Sequence, residues 1–393
     1  MQYQTIVLGL GAMGSAAVYQ LAKRGQRVLG LDQFVPPHAR GSSHGETRVT
    51  RQAIGEGEQY TPLSLRSFDL WREIERETGR DLLTVTGGLI ISSPAKVGHN
   101  VADFFGNTLA AAKKYGIAHE VLEARGIRRR FPQFNVQDDE IGYLEANAGF
   151  LRPEECIRAQ LELAVRHGAV IQTGEQVLGF QQHGKTVTVK TNRADYTTEN
   201  LVVTAGAWLP TLLNAELART YRVMRQVLYW FEPTESIAPF EIGRMPIFIW
   251  EPKGADRMLY GFPAIDGERG GVKVASAQYH DTTTADQVDR VVTPEEIARM
   301  YETLVGPCFP GLSRRCLKTA TCMYTVTPDF GFVIDRHPQQ PKVLLASPCS
   351  GHGFKHSAAV GEALAELATD GRSRLDLSAF ALGRFGASPA AGG

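Results

Sequence analysis

An α/β fold organised around a Rossmann-type dinucleotide unit follows from three stretches of the sequence. Residues 4–32 read as strand, glycine turn, helix and strand. Residues 200–208, NLVVTAGAW, read as a strand running into a turn of small residues. Residues 342–371 read again as strand, glycine loop and helix. These pieces lie at the start, near 200 and after 320, so the nucleotide domain is expected to be assembled from discontinuous segments.

The first stretch carries the most specific pattern. QTIVLG, residues 4–9, is a short buried strand, and residues 12–24 place Ala16, Ala17, Val18, Leu21 and Ala22 at helical spacing. Gly25 suits the helix C-terminus. RVLGLD, residues 27–32, is a second strand ending in an acid. Between strand and helix stand Gly9, Gly11 and Gly14 in GxGxxG spacing. Gly9 permits the tight turn, Gly11 admits a pyrophosphate against the backbone, and Gly14 lets helix and strand pack closely. Asp32 lies where a carboxylate can hold a ribose hydroxyl. The motif alone does not separate FAD from NAD; its N-terminal position favours FAD.

Residues 33–60 form a long segment rich in Gly, Ser, His and Arg and poor in large aliphatics. Directly after a nucleotide unit, such a loop reads as functional. Arg48 and Arg51 would share a face if this part were a helical turn. Near the other end, Gly351-His352-Gly353 precedes a helix whose first amides could face an electron-rich group. Lys355 sits at that mouth, where the helix dipole disfavours a lysine, which points to a functional role. Cys322, in TATCMYTVTPDFGFVID (319–335), lies in a strand or a loop beside one; a buried apolar thiol would explain it equally well.

Composition removes several classes of function. The chain has 393 residues, 43% hydrophobic and 21% charged, enough for about two domains with a large core. Lys plus Arg equals Asp plus Glu at 42 each, which argues against a general nucleic-acid or anionic-membrane binder. The five cysteines are scattered, with no CxxC or Cys/His cluster, so neither a disulfide framework nor a metal site is expected. A reducing, cytoplasmic setting is the expectation. The opening MQYQTIVLGLGAMG lacks a basic signal-peptide region, and no apolar run is long enough to span a membrane.

Taken in order, GLGAMGSA, DQFVPPH, GSSHGETRVTR, EGEQY, AGAW, YGFP, CMYTVTPD and SGHGFK resemble the monomeric sarcosine oxidase family of flavoenzymes. That family includes N-methyltryptophan oxidase and pipecolate oxidase, and the likeness runs nearly end to end. It implies a glutathione-reductase-type FAD domain from residues 1–86, 148–218 and 316–393. It also implies a substrate domain with a mixed or antiparallel sheet from residues 87–147 and 219–315.

The resemblance implies FAD joined through its 8α carbon to the sulfur of Cys322, with Cys349 a weaker candidate thiol. Gly9, Gly11, Gly14, Asp32, Ser42, Ser43, Arg48, Gly351, Gly353 and Lys355 would surround that cofactor. Arg51 and Lys355 would clamp a substrate carboxylate, and His280 would stand beside the substrate. Tyr260 and Tyr324 would line its pocket. Lys273 would be the oxygen-activating cation, although its seven-residue separation from His280 departs from the family spacing.

The implied reaction oxidises a secondary amino acid, sarcosine or another N-methyl amino acid, to an imine. Hydrolysis then gives aldehyde plus amine, and oxygen becomes hydrogen peroxide. A cyclic substrate such as pipecolate or proline, or an acceptor other than oxygen, fits the same residues. The expected partners are a small amino acid and oxygen, with no nucleic acid, no membrane and a monomeric chain. An NAD-dependent dehydrogenase and a flavin-binding subunit without turnover are the rival readings.

Overall fold

Apolar, β-branched residues buried on both faces make Tyr3–Leu8 and Val28–Asp32 central parallel strands, joined by the helix Ala12–Lys23. The computed structural model describes residues 3–93, 101–254 and 257–386. The expected domain segments also include residues 1–2, 94–100, 255–256 and 387–393, which lie outside the described residues. Tyr3–Leu8 pairs in parallel with Asp195–Val203, which in turn pairs with Gln340–Ser347. The three nucleotide-type segments therefore meet as neighbours in one eight-stranded sheet. Val177–His183 and Thr186–Thr191 extend one side as an antiparallel hairpin, and Val170–Thr173 closes the other.

Small residues let the helices approach closely on this sheet. A Cβ on Gly361, in the helix Ser357–Thr369, would lie 2.3 Å from the Ala16 Cβ. The two helices thus touch almost backbone to backbone, with Pro153–Arg166 and Thr61–Thr78 packed alongside.

A second, nine-stranded sheet holds most of residues 88–326 that form strands. Its pairs are antiparallel except for Gly88–Ser92 against Ile247–Glu251, so the sheet is mixed. Its longest element is the ribbon Arg222–Pro233 against Leu312–Val326. Residues 316–326, assigned above to the nucleotide domain, are thus hydrogen-bonded along this ribbon into the second sheet. The ribbon carries Cys322, opposite Gln226, towards the first sheet. A three-stranded sheet of Arg48–Thr50, Leu83–Val85 and Gly149–Leu151 completes the fold. Arg48 begins a strand rather than a helical turn. Among the described residues no helix is long and apolar enough to cross a membrane, and no cluster of His, Cys, Asp or Glu could hold a metal ion.

Candidate active site

The glycine turn is shaped by contacts that exclude a side chain. Gly9 has φ +84°, and a Cβ there would lie 2.6 Å from Thr204 O. A Cβ on Gly14 would lie 1.7 Å from Gly9 O. Gly11 instead faces Ser43, whose Oγ accepts from Ala12 N at 3.3 Å and so caps the helix. Asp32 accepts from Leu10 N and Phe34 N, each at 2.8 Å, so its carboxylate also organises the turn. Burial raises its pKa, against the pull of those amides.

A long cleft opens here, lined by Gly9, Gly11, Asp32, Ser42 and Ser43 and, from the AGAW turn, by Trp208. Gly351 (φ +88°) and Gly353 complete it from the C-terminal loop. That loop passes through the short turn Phe354–His356 before the helix Ser357–Thr369 begins. A dinucleotide fits this lining, because Gly9, Gly11, Gly351 and Gly353 bring backbone without side chains to the cleft wall.

The cleft runs into a second cavity. Arg48, Tyr324, Gly351 and Phe354 line both, while Cys322, Tyr260, Arg51 and Lys355 line only the second. Arg48 Nη2 sits 3.7 Å from Cys322 Sγ and donates to Ser42 O at 2.8 Å. The thiol is thus held at the junction beside a fixed positive charge. Cys349 lines the first cavity, accepts from Thr325 N at 3.3 Å, and has its pKa raised by burial.

At one end of the second cavity lie Arg51 and Lys355, joined by Glu56, which the sequence reading did not include. Arg51 is 2% exposed; its Nη2 lies 2.5 Å from Glu56 Oε2, Nη1 donates to Ala53 O, and Phe104 underlies it at 5.0 Å. Its buried Nε has no hydrogen-bond partner among the described residues. Lys355 Nζ donates to His352 O at 2.7 Å and lies 3.6 Å from Glu56 Oε1. Burial, with Arg51 nearby, pushes the Lys355 pKa down to about 8, against the pull of Glu56. Burial pushes His352 down to about 4, so it is neutral at neutral pH. Two cations and one carboxylate leave a net positive charge with a free donor, which suits one monoanion. Glu56 belongs to the EGEQY stretch, so its signal was in the sequence, but nothing local tied it to Lys355.

Tyr260 and Tyr324 stand hydroxyl to hydroxyl at 3.2 Å, both with pKa values raised by burial, and both line this cavity. Lys273 lines neither cavity. Its Nζ donates to Gly45 O at 2.6 Å and to Thr47 O at 2.9 Å, between the rings of Phe262 (4.6 Å) and Trp230 (5.3 Å). Burial, then Arg48, drives its pKa well down.

His280 does not join them. It is exposed and lines neither cavity. Lys273 lies in the strand Val272–Ser276, and the chain has left that strand before it reaches His280. Ala277 and Tyr279 take the cavity side. Gln278 is pinned to Gln226, with Gln226 Nε2 donating to Gln278 O at 2.6 Å, and its Oε1 accepts from His280 N at 3.0 Å. His280→Ala is therefore expected to change kcat/KM by no more than about twofold, as a surface substitution away from packed features does. Steady-state kinetics check this, and a loss of tenfold would return His280 to the site.

The Lys355 shift makes a pH prediction. Its folded-state pKa is lowered, so Lys355 is charged below about 8 and neutral above it. The affinity of a simple carboxylate lacking an amine, read from the flavin spectrum, is expected to weaken about tenfold as pH rises through that value. Lys355→Arg keeps its charge and abolishes this limb. A flat wild-type profile from pH 7 to 9.5 would contradict the assignment.

A nucleotide cradle opening onto a cation-bearing cavity suits an enzyme that brings a small molecule to a dinucleotide cofactor. The chain matches the FAD dependent oxidoreductase (DAO) family over residues 4–367, and it belongs to that family. It is 43% identical to the monomeric sarcosine oxidase of Streptomyces avermitilis, over 99% of each chain. It is 34% identical to an N-methyl-L-tryptophan oxidase of Escherichia coli, over 98% of this chain and all of that one. An open form of NikD, described as an unusual amino acid oxidase essential for nikkomycin biosynthesis, shares the fold with a TM-score of 0.81. That likeness is at 24% identity and 97% coverage of each chain.

Proposed function

We propose that this protein oxidises a secondary amino acid, such as an N-methyl amino acid, to its imine, with oxygen reduced to hydrogen peroxide. The CH–NH unit loses two electrons and two protons, and oxygen takes up both. Water then splits the imine into an aldehyde and the primary amine. The observation that carries the reading is the shared wall of the two cavities, with Cys322 and Arg48 where cradle and anion clamp meet.

FAD, when bound, supplies the hydride-accepting ring. Gly9, Gly11, Gly14, Asp32, Ser42, Ser43, Gly351 and Gly353 would hold it, and Cys322 would tether it through sulfur. Arg48 stands beside that sulfur, with Nη2 3.7 Å from Sγ. Arg51 and Lys355 orient the substrate by its carboxylate. Their net positive charge also helps a bound ammonium lose its proton, which must leave before hydride transfer. The Tyr260 and Tyr324 hydroxyls stay protonated and offer fixed donors and acceptors to the amine. Lys273 is proposed to act on oxygen, which requires it to release a carbonyl of the Gly45–Thr47 loop. The two-domain division and a monomeric chain belong to the same proposal.

The test is anaerobic reduction of the purified yellow protein by sarcosine, N-methyl-L-tryptophan, L-proline and L-pipecolate. Bleaching by one or more is expected, with stoichiometric peroxide in air. If none bleaches the flavin, the reading fails; bleaching without peroxide moves the acceptor away from oxygen.

A further inference from the structure

The turn after the Cys322 strand holds a bulky residue in a conformation that such residues rarely adopt. Phe330 has φ +57°, in the left-handed region that favours glycine. The surroundings over-determine it. Phe330 N donates to Thr327 O at 3.1 Å, and Gly331 N donates to Asp329 Oδ1 at 2.9 Å. The Thr327 hydroxyl lies 2.7 Å from Gly331 O. His352 Nε2 lies 3.2 Å from Phe330 O, and Arg384 Nε binds Asp329 Oδ2 at 2.7 Å. A strained residue clamped from several sides is a mark of function when its side chain meets a site.

The Phe330 ring does so. It lines the second cavity and meets Tyr279 edge to face, with centroids 5.0 Å apart at 79°. Tyr279 lies in turn 6.2 Å from Tyr324. Met258 and Ala277 pack into the same cluster, and Ile249 extends the cavity lining. The Phe330, Met258, Ala277 and Ile249 side chains of this wall are apolar; the charged side chains lining the cavity are Arg48, Arg51, Glu56, Asp329 and Lys355, with Asp329 held by Arg384. Ala277 contributes only a methyl group where a longer side chain would fill space.

We infer that Phe330, with Tyr279, determines specificity by selecting amino acids whose α-carbon bears an apolar side chain. The inference rests on the amine-oxidase reading above and adds the substrate class. With the carboxylate on the clamp, a glycine-derived substrate leaves the apolar wall uncovered. An apolar side chain covers it, and in hydrophobic pockets one methylene-sized group discriminates by about tenfold or more.

The experiment compares kcat/KM for N-methyl-L-phenylalanine and N-methyl-L-leucine with that for sarcosine, in the wild-type holoenzyme and in Phe330→Gly. Glycine adopts this φ without strain. Wild type is expected to favour the apolar substrates at least tenfold. Phe330→Gly is expected to lower that ratio about tenfold, chiefly by raising KM for the larger substrates. Phe330→Asn, which also tolerates this backbone, repeats the measurement should the glycine variant fail to retain flavin. A wild-type preference for sarcosine overturns the inference, as does a ratio unchanged in a variant that still turns over. Flavin that no amine reduces overturns the amine-oxidase reading itself, and the inference falls with it.

Discussion

Arg51→Lys is expected to lower kcat/KM for the amino-acid substrate by about a hundredfold or more, although charge is conserved. The guanidinium is buried and its donors are already divided. Nη1 serves Ala53 O, Nη2 serves Glu56, and Nε is without a partner among the described residues. In the proposed function a substrate carboxylate is held beside this set by charge-assisted bonds. An ammonium at the end of a flexible stem cannot serve the Ala53 carbonyl, Glu56 and a ligand in the same geometry. Losing one partner of a buried, hydrogen-bonded charge pair costs about 2–5 kcal/mol, or about thirty- to several-thousandfold in affinity. Arg51→Gln should be worse, since it leaves Lys355 and Glu56 to neutralise each other. Stopped-flow reduction of the flavin separates binding from hydride transfer. A loss under threefold in Arg51→Lys, with normal flavin content, would remove Arg51 from the clamp.

The second large effect is expected at Cys322. Wild-type protein precipitated in acid should keep its yellow colour in the pellet, and Cys322→Ala should release all of it. The geometry supports this thiol over Cys349: Arg48 Nη2 is 3.7 Å from the Cys322 sulfur, while Cys349 accepts a backbone amide and burial raises its pKa. Loss of the tether should also lower the flavin potential and slow reduction about tenfold or more, roughly 1.4 kcal/mol in barrier. Intact mass before and after the substitution gives an independent readout. Retention of flavin through acid by Cys322→Ala would move the bond to another residue, and release by wild type would abolish the bond altogether.

These two positions show how unevenly the site was legible. Cys322 and Arg51 lie in stretches whose order along the chain is specific, so the sequence identified them without showing what they touch. The Gly9, Gly11 and Gly14 pattern was legible for a stronger reason: its cause is steric and local, as the 1.7 Å approach of a hypothetical Gly14 side chain to Gly9 O makes plain. His280 was expected beside the substrate, but the strand Val272–Ser276 ends before it and its side chain is exposed. Tyr279, one residue earlier, faces the cavity. Glu56 and Phe330 escaped notice for different reasons. Glu56 acquires its meaning only when the loop before Thr61–Thr78 meets the turn that carries Lys355. The left-handed conformation of Phe330 is the opposite of what its side chain favours.

By itself the sequence determined the dinucleotide unit, the mixed α/β class and the list of chemically capable side chains. Each of these depends on short-range sterics and on hydrophobic periodicity, which a chain carries with it before folding. Only the tertiary structure decided that Arg51, Glu56 and Lys355 lie together at one end of a cavity, that Lys273 is bound to a loop, and that Phe330 and Tyr279 line the same cavity. The Lys355 and Lys273 relations join residues more than two hundred positions apart. Side chains meet across packed strands, helices and loops and not along the chain, as the pairing of Leu312–Val326 with Arg222–Pro233 illustrates.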